Sequence, residues 1–122
     1  MGGMLYCEAG MPVVFVIAPD WKLRAMVRAE LRERGIDALG MSNAAEAGAY
    51  IASGTVPSAV VLEASDSVEA GLESLARRVP FVVVASRVQA QLWPRAARLL
   101  RRPVRIGEIV EAVIAVLRDG PA

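Results

Sequence analysis

The strongest constraint in this chain is an alternation. Short apolar runs rich in β-branched residues take turns with stretches of helical periodicity, the rhythm of βαβ units around a parallel sheet. Residues 13–17, 59–62 and 80–85 are largely continuous apolar runs, as strands covered on both faces must be. Residues 36–41 make a shorter, mixed strand, and Leu99 and Leu100 a very short fifth one before Pro103. Asp20 is placed to N-cap a helix over 21–34, with Leu23, Met26, Val27 and Leu31 as its inner stripe and Gly35 as its stop. Asn43, with Glu46 three residues on, resembles a capping box and opens an Ala-rich helix that ends at Ser53-Gly54. A polar loop over 63–67 leads to a third helix running to Arg78. Residues 88–99 predict a helix broken at Pro94, because proline removes a helical hydrogen bond and clashes with the preceding turn. The last helix runs over 106–118 and is stopped by Gly120-Pro121. Residues 1–11 show no period and read as a flexible tail, which leaves one domain over 12–119.

Composition narrows the chemistry. The chain has no histidine, which removes the commonest general base and most zinc sites. Its single cysteine, Cys7, excludes an internal disulfide and any cysteine-rich metal site. No Walker or dinucleotide glycine pattern occurs, and Ala18-Pro19-Asp20-Trp21 is not a flavin phosphate loop. Apolar residues make up 55% of the chain, above the usual share of about 45–50%. That suffices for a sheet core with two faces and leaves apolar surface for a partner. No apolar run reaches the roughly 18 residues that span a bilayer. The residues before Met11 lack the basic start and long apolar stretch of a signal peptide. Tyr6 stands where a myristoylation signal has Ser or Thr. A cytoplasmic protein without membrane attachment is expected.

Charge is unevenly placed. Residues 1–73 hold ten acids and five bases, whereas residues 74–107 hold eight arginines and no acid. Such asymmetry marks either a solvated surface or an electrostatic face.

Three short motifs, in this order and spacing, resemble the receiver domain of bacterial response regulators. Gly71-Leu72-Glu73-Ser74-Leu75 is similar to that family's Asp-Gly-x-x-x-Leu stretch after the third strand. Arg102-Pro103-Val104 is similar to its Lys-Pro-Phe, and Glu108-Ile109 followed by Val113 to its Glu-Leu-x-x-x-Ile. The resemblance covers residues 12–119. It implies a flavodoxin-like (βα)5 fold, a doubly wound, five-stranded parallel sheet; the few residues from Leu75 to Pro80 and from Ala85 to Arg102 leave helices 3 and 4 shortened relative to that family. The resemblance also implies where chemistry should sit. The family uses an acidic pair after strand 1 and an Asp after strand 3 to hold Mg²⁺, an ion that demands oxygen ligands in tight octahedral geometry. The same Asp accepts the phosphoryl group, which a Thr or Ser after strand 4 and a Lys after strand 5 then bind.

This chain departs at each of those positions. Ala18 and Pro19 stand in for the acidic pair, with Asp20 one place later. Glu63 stands for the phosphoacceptor, Ala85 for the Thr or Ser with Ser86 beside it, and Arg102 for the Lys. An extra methylene at Glu63 displaces the carboxylate by about 1 Å, a serious error for in-line transfer. No metal, no cofactor and no enzymatic activity are therefore expected. The sequence reads as a receiver-like signalling module that works without phosphorylation, through protein–protein interaction. Glu63 either mimics the phosphorylated state or pairs with Arg102, whose planar fork suits a carboxylate. One alternative is an unorthodox phosphorylatable site built on Asp20, Glu63 or Asp66. Another is a binder of nucleic acid or an acidic partner through the arginine-rich stretch 77–105, although Phe81 and Trp93 are its only aromatics. On the last helix, Ile109, Val113 and Val116 align toward the sheet, and Val110 and Ile114 lie on a flank. That flank is expected to form a homodimer or partner interface, unless Leu92 and Trp93 cover it.

Overall fold

The computed structural model describes residues 12–119, so the expected tail and the Gly120-Pro121 stop lie outside the described residues. The elements run β1 (Val13–Ile17), α1 (Trp21–Glu33), β2 (Asp37–Met41), α2 (Ala44–Ala52), β3 (Ala59–Glu63), α3 (Leu72–Ala76), β4 (Phe81–Ala85), α4 (Arg87–Ala90), β5 (Arg98–Arg101) and α5 (Ile106–Asp119). All strand pairings are parallel, in the order β2-β1-β3-β4-β5. This is the doubly wound sheet the alternation predicts.

Alternate residues of each strand serve opposite faces, and the core divides accordingly. Val14, Val16, Val61, Val82 and Val84 join Val27 and Leu31 of α1 and Ile109, Val110 and Val113 of α5. Phe15, Ile17, Val60, Leu62, Phe81 and Val83 join Ala47 of α2, Leu72 and Leu75 of α3, and Trp93. The central strands are therefore apolar at every position but the last of β3, Glu63, because both faces are covered.

Helix α1 starts where Asp20 accepts from the amides of Lys22 and Leu23, at 2.9 and 3.4 Å. It stops at Gly35, whose φ of 79° allows the amides of Gly35 and Ile36 to reach back to the carbonyls of Arg32 and Leu31, each at 3.0 Å. Met26 is 53% exposed, which corrects its place in the inner stripe. The inner line is half-buried Leu23 with buried Val27 and Leu31, and Met26 lies about 100° round the helix from Val27. The other shoulder of that line belongs to arginine. Arg28 and Arg32 both donate to the carbonyl of Ala38 on edge strand β2, at 3.2 and 3.4 Å. Arg24 donates to the carbonyl of Ala18. Gly40 makes room for this arrangement, since a Cβ there would fall 2.7 Å from Arg28 Cδ.

The third and fourth helices are short, with five and four residues, as the short sequence spacings implied. Helix α3 begins only at Leu72 and ends at Ala76, later and earlier than the helix read from the periodicity. The predicted helix over 88–99 is reduced to α4, and turns around Pro94 lead into β5. Trp93 occupies the space beneath this break, 5% exposed and stacked on Phe81 at 5.6 Å between ring centroids.

Helix α5 places Ile109, Val113 and Val116 against the sheet as expected. Val110, however, is 0% exposed within the single chain, which corrects its assignment to an interface. Helix α1 packs against α5 and covers that flank, whereas Trp93 lies on the opposite face of the sheet. Arg34 reinforces the contact by donating to Glu111 at 2.8 Å, and that hydrogen bond raises its pKa above the ordinary arginine value. Ile114 is half-buried against the same cluster. No helix among the described residues is long and apolar enough to cross a membrane.

Candidate functional site

The carboxyl ends of β1, β3, β4 and β5 bring three of the seven residues predicted for the phosphoacceptor site together around an open cleft of about 490 Å³. Asp20, Glu63 and Arg102 line it, with Leu23, Val84 and Pro103. Parallel strands deliver their following loops to one end of the sheet, so residues far apart in sequence meet there.

Each polar group in the cleft already has a partner. Glu63 Oε1 accepts from the backbone amide of Asp20 at 3.0 Å. Its Oε2 faces Arg102 Nη1 at 3.5 Å, a contact at the outer limit of a direct ion pair. Arg102 also donates through Nη2 to the carbonyl of Ala64 at 3.3 Å, and its peptide bond to Pro103 is cis. The Asp20 carboxylate is turned to its own helix as the N-cap. Of the two ways Glu63 was expected to act, the structure contains the pairing with Arg102.

Ala18 is fully buried and offers no oxygen side chain, and Pro19 is exposed and offers none either. The family's Mg²⁺ does not fit these residues. It needs several oxygen ligands in octahedral array, and no group of three or more potential metal-ligating side chains exists among the described residues. Trp21 is 64% exposed and directly follows Asp20, so its emission should report any ion entering the cleft. Titration with millimolar Mg²⁺ is expected to leave that emission unchanged. A saturable change, abolished by Asp20→Asn, would mean that the cleft can recruit a cation.

Ala85 is fully buried at the end of β4. Ser86, beside it, is committed elsewhere. Its hydroxyl accepts from the amide of Gln89 at 3.2 Å, while Gln89 Oε1 accepts from the Ser86 amide at 3.0 Å. This is a capping box for α4, legible in Ser86-Arg87-Val88-Gln89 but missed on sequence reading. Gln89 also donates to Asp66 at 3.1 Å, tying the loop after β3 to α4. At α2, by contrast, Asn43 caps as expected, but Glu46 accepts from Ser42 at 2.6 Å instead of closing the box on Asn43.

Among solved structures, the fold matches response-regulator receiver domains. The response regulator receiver protein from Burkholderia phymatum is 24% identical, with a TM-score of 0.71 over 91% of this chain and 99% of that one. A CheY-like receiver domain protein from Methanospirillum hungatei gives 16% identity and a TM-score of 0.76, covering 90% and 96% of the two chains. The chemotaxis response regulator CheY4 of Vibrio cholerae gives 17% and 0.69, covering 87% and 98%. No family model matches the chain, and no curated protein matches it in sequence. The class is therefore defined by architecture: a CheY-like, flavodoxin-like receiver fold.

Proposed function

We propose that this chain is a receiver-like signalling module, within two-component signalling, that acts without phosphorylation and through protein–protein interaction. One observation carries the reading. The Glu63 carboxylate is held by the Asp20 amide and Arg102, while the neighbouring Ala18 and Pro19 supply no ligand for a metal. Phosphoryl transfer needs an unencumbered, metal-neutralised nucleophile in line with its donor. Here the carboxylate is longer than that of an Asp, already partnered, and beside residues that supply no ligand for an ion. Arg102 supplies a permanent positive charge, which makes the Glu63–Arg102 pair a fixed substitute for a switchable site.

Incubation with acetyl phosphate and Mg²⁺, followed by intact-mass measurement, tests the reading. Neither the wild type nor Glu63→Asp is expected to gain the roughly 80 Da of a phosphoryl group, because the metal ligands and the Ala85 position stay unrepaired. A stoichiometric gain in the wild type would instead establish the unorthodox phosphorylatable site.

A homodimer through α5 loses one of its two anchors with Val110 buried. Ile114 is the remaining flank residue that could contribute to such a contact.

A further inference from the structure

The eight arginines of the 74–107 stretch do not form one surface. Arg102 belongs to the cleft around Glu63. Arg77, Arg78, Arg95 and Arg98 instead line a separate groove of about 390 Å³. It lies where β4 and β5 begin, at the opposite end of the sheet from Glu63.

The shortened helices create this groove. Helix α3 stops at Ala76, which puts Arg77 and Arg78 at its end, level with the start of β4. The turn after α4 carries Arg95, and β5 opens with Arg98. Among the described residues, Arg77, Arg78 and Arg95 have no side-chain hydrogen bond or ion pair. Arg98 alone faces an acid, Asp119, at 3.5 Å. Bringing guanidinium groups together costs repulsion unless an anion shares them.

Between the arginines the lining is apolar, with Ala76, Val79, Pro80, Ala97 and Val116, and Asp119 beside Arg98 is its one acid. A smaller cleft adjoins it, sharing Ala76, Arg77 and Arg95. Trp93 lines that cleft, and its indole Nε1 is buried with no acceptor among the described residues.

We propose that this groove binds an acidic peptide segment of a partner protein, with carboxylates on the arginines and an apolar side chain on the apolar lining. An apolar lining between arginines suits such a segment. Single-stranded nucleic acid is disfavoured, because its binders stack bases on aromatic rings and no aromatic residue lines the groove. The proposal does not depend on Glu63, since the two sites lie at opposite ends of the sheet.

Fluorescence anisotropy with a labelled peptide of repeating Asp-Glu-Leu, beside a labelled oligothymidylate, tests it. Saturable peptide binding that weakens with added NaCl is expected. Arg77→Glu/Arg95→Glu should weaken it by about tenfold or more. Arg87→Glu/Arg101→Glu makes the same charge change outside the groove and should leave a much smaller effect. Circular dichroism confirms that each variant is folded. Absence of saturable peptide binding, or equal losses in the two double variants, would overturn the proposal. So would groove-dependent binding of the oligothymidylate in preference to the peptide.

Discussion

Trp93→Ala is expected to destabilise the protein by about 3–5 kcal/mol in urea unfolding, the range for removing a large buried aromatic. The reason lies in the short α4. With only four helical residues there, the face of β4 that carries Phe81 would be open without a large side chain. Trp93 supplies it, stacked at 5.6 Å with the ring planes 20° apart. Trp93→Phe separates two contributions. It keeps most of the ring contact and removes an indole N–H that has no acceptor among the described residues. An unsatisfied buried donor costs about 1–3 kcal/mol, so its removal offsets much of the lost contact. The net loss for Trp93→Phe should stay below about 1.5 kcal/mol. A Trp93→Ala variant as stable as the wild type would show that the turns around Pro94 close the core unaided.

Val110→Lys is expected to be the more damaging of two substitutions on α5. Val110 has no exposed surface and sits between α1 and the sheet. An unpaired charge there costs about 3–5 kcal/mol or more, a large part of a typical domain's whole stability of about 5–15 kcal/mol. Ile114→Lys differs in kind. Ile114 is only half-buried, so a lysine can lay its stem on the cluster and carry its ammonium to water. Its cost should be about 1 kcal/mol or less. Far-ultraviolet circular dichroism during urea unfolding reads both. Sedimentation of the folded Ile114→Lys variant beside the wild type reads association separately. Two variants of equal stability would contradict the burial of Val110 by α1.

The three central strands were legible in the sequence because both faces of the sheet are covered there, so their apolar runs are nearly uninterrupted. The identities at the cleft were equally legible: a sequence states that Ala18 has no oxygen and that Glu63 is longer than Asp. Partnerships were less so. Ser86 lies beside the position where a phosphoryl-binding hydroxyl was expected, yet its hydroxyl closes a capping box with Gln89. Val110 read as a flank residue because helical periodicity describes one helix at a time. The covering surface comes from α1, distant in sequence, and only the tertiary fold brings it there. The arginine stretch read as a single charge run, whereas the turns around Pro94 and the early end of α3 divide it between two ends of the sheet.

The arginines of α1 also bear on how the sheet meets other chains. An edge strand offers unpaired carbonyls and amides to any passing extended segment. On β2, the carbonyl of Ala38 is already engaged by Arg28 and Arg32, and the stems of Arg28 and Arg24 lie against Gly40. An extended segment approaching β2 would have to displace two guanidinium groups to reach the carbonyl of Ala38, so that point of the edge is withheld from strand addition.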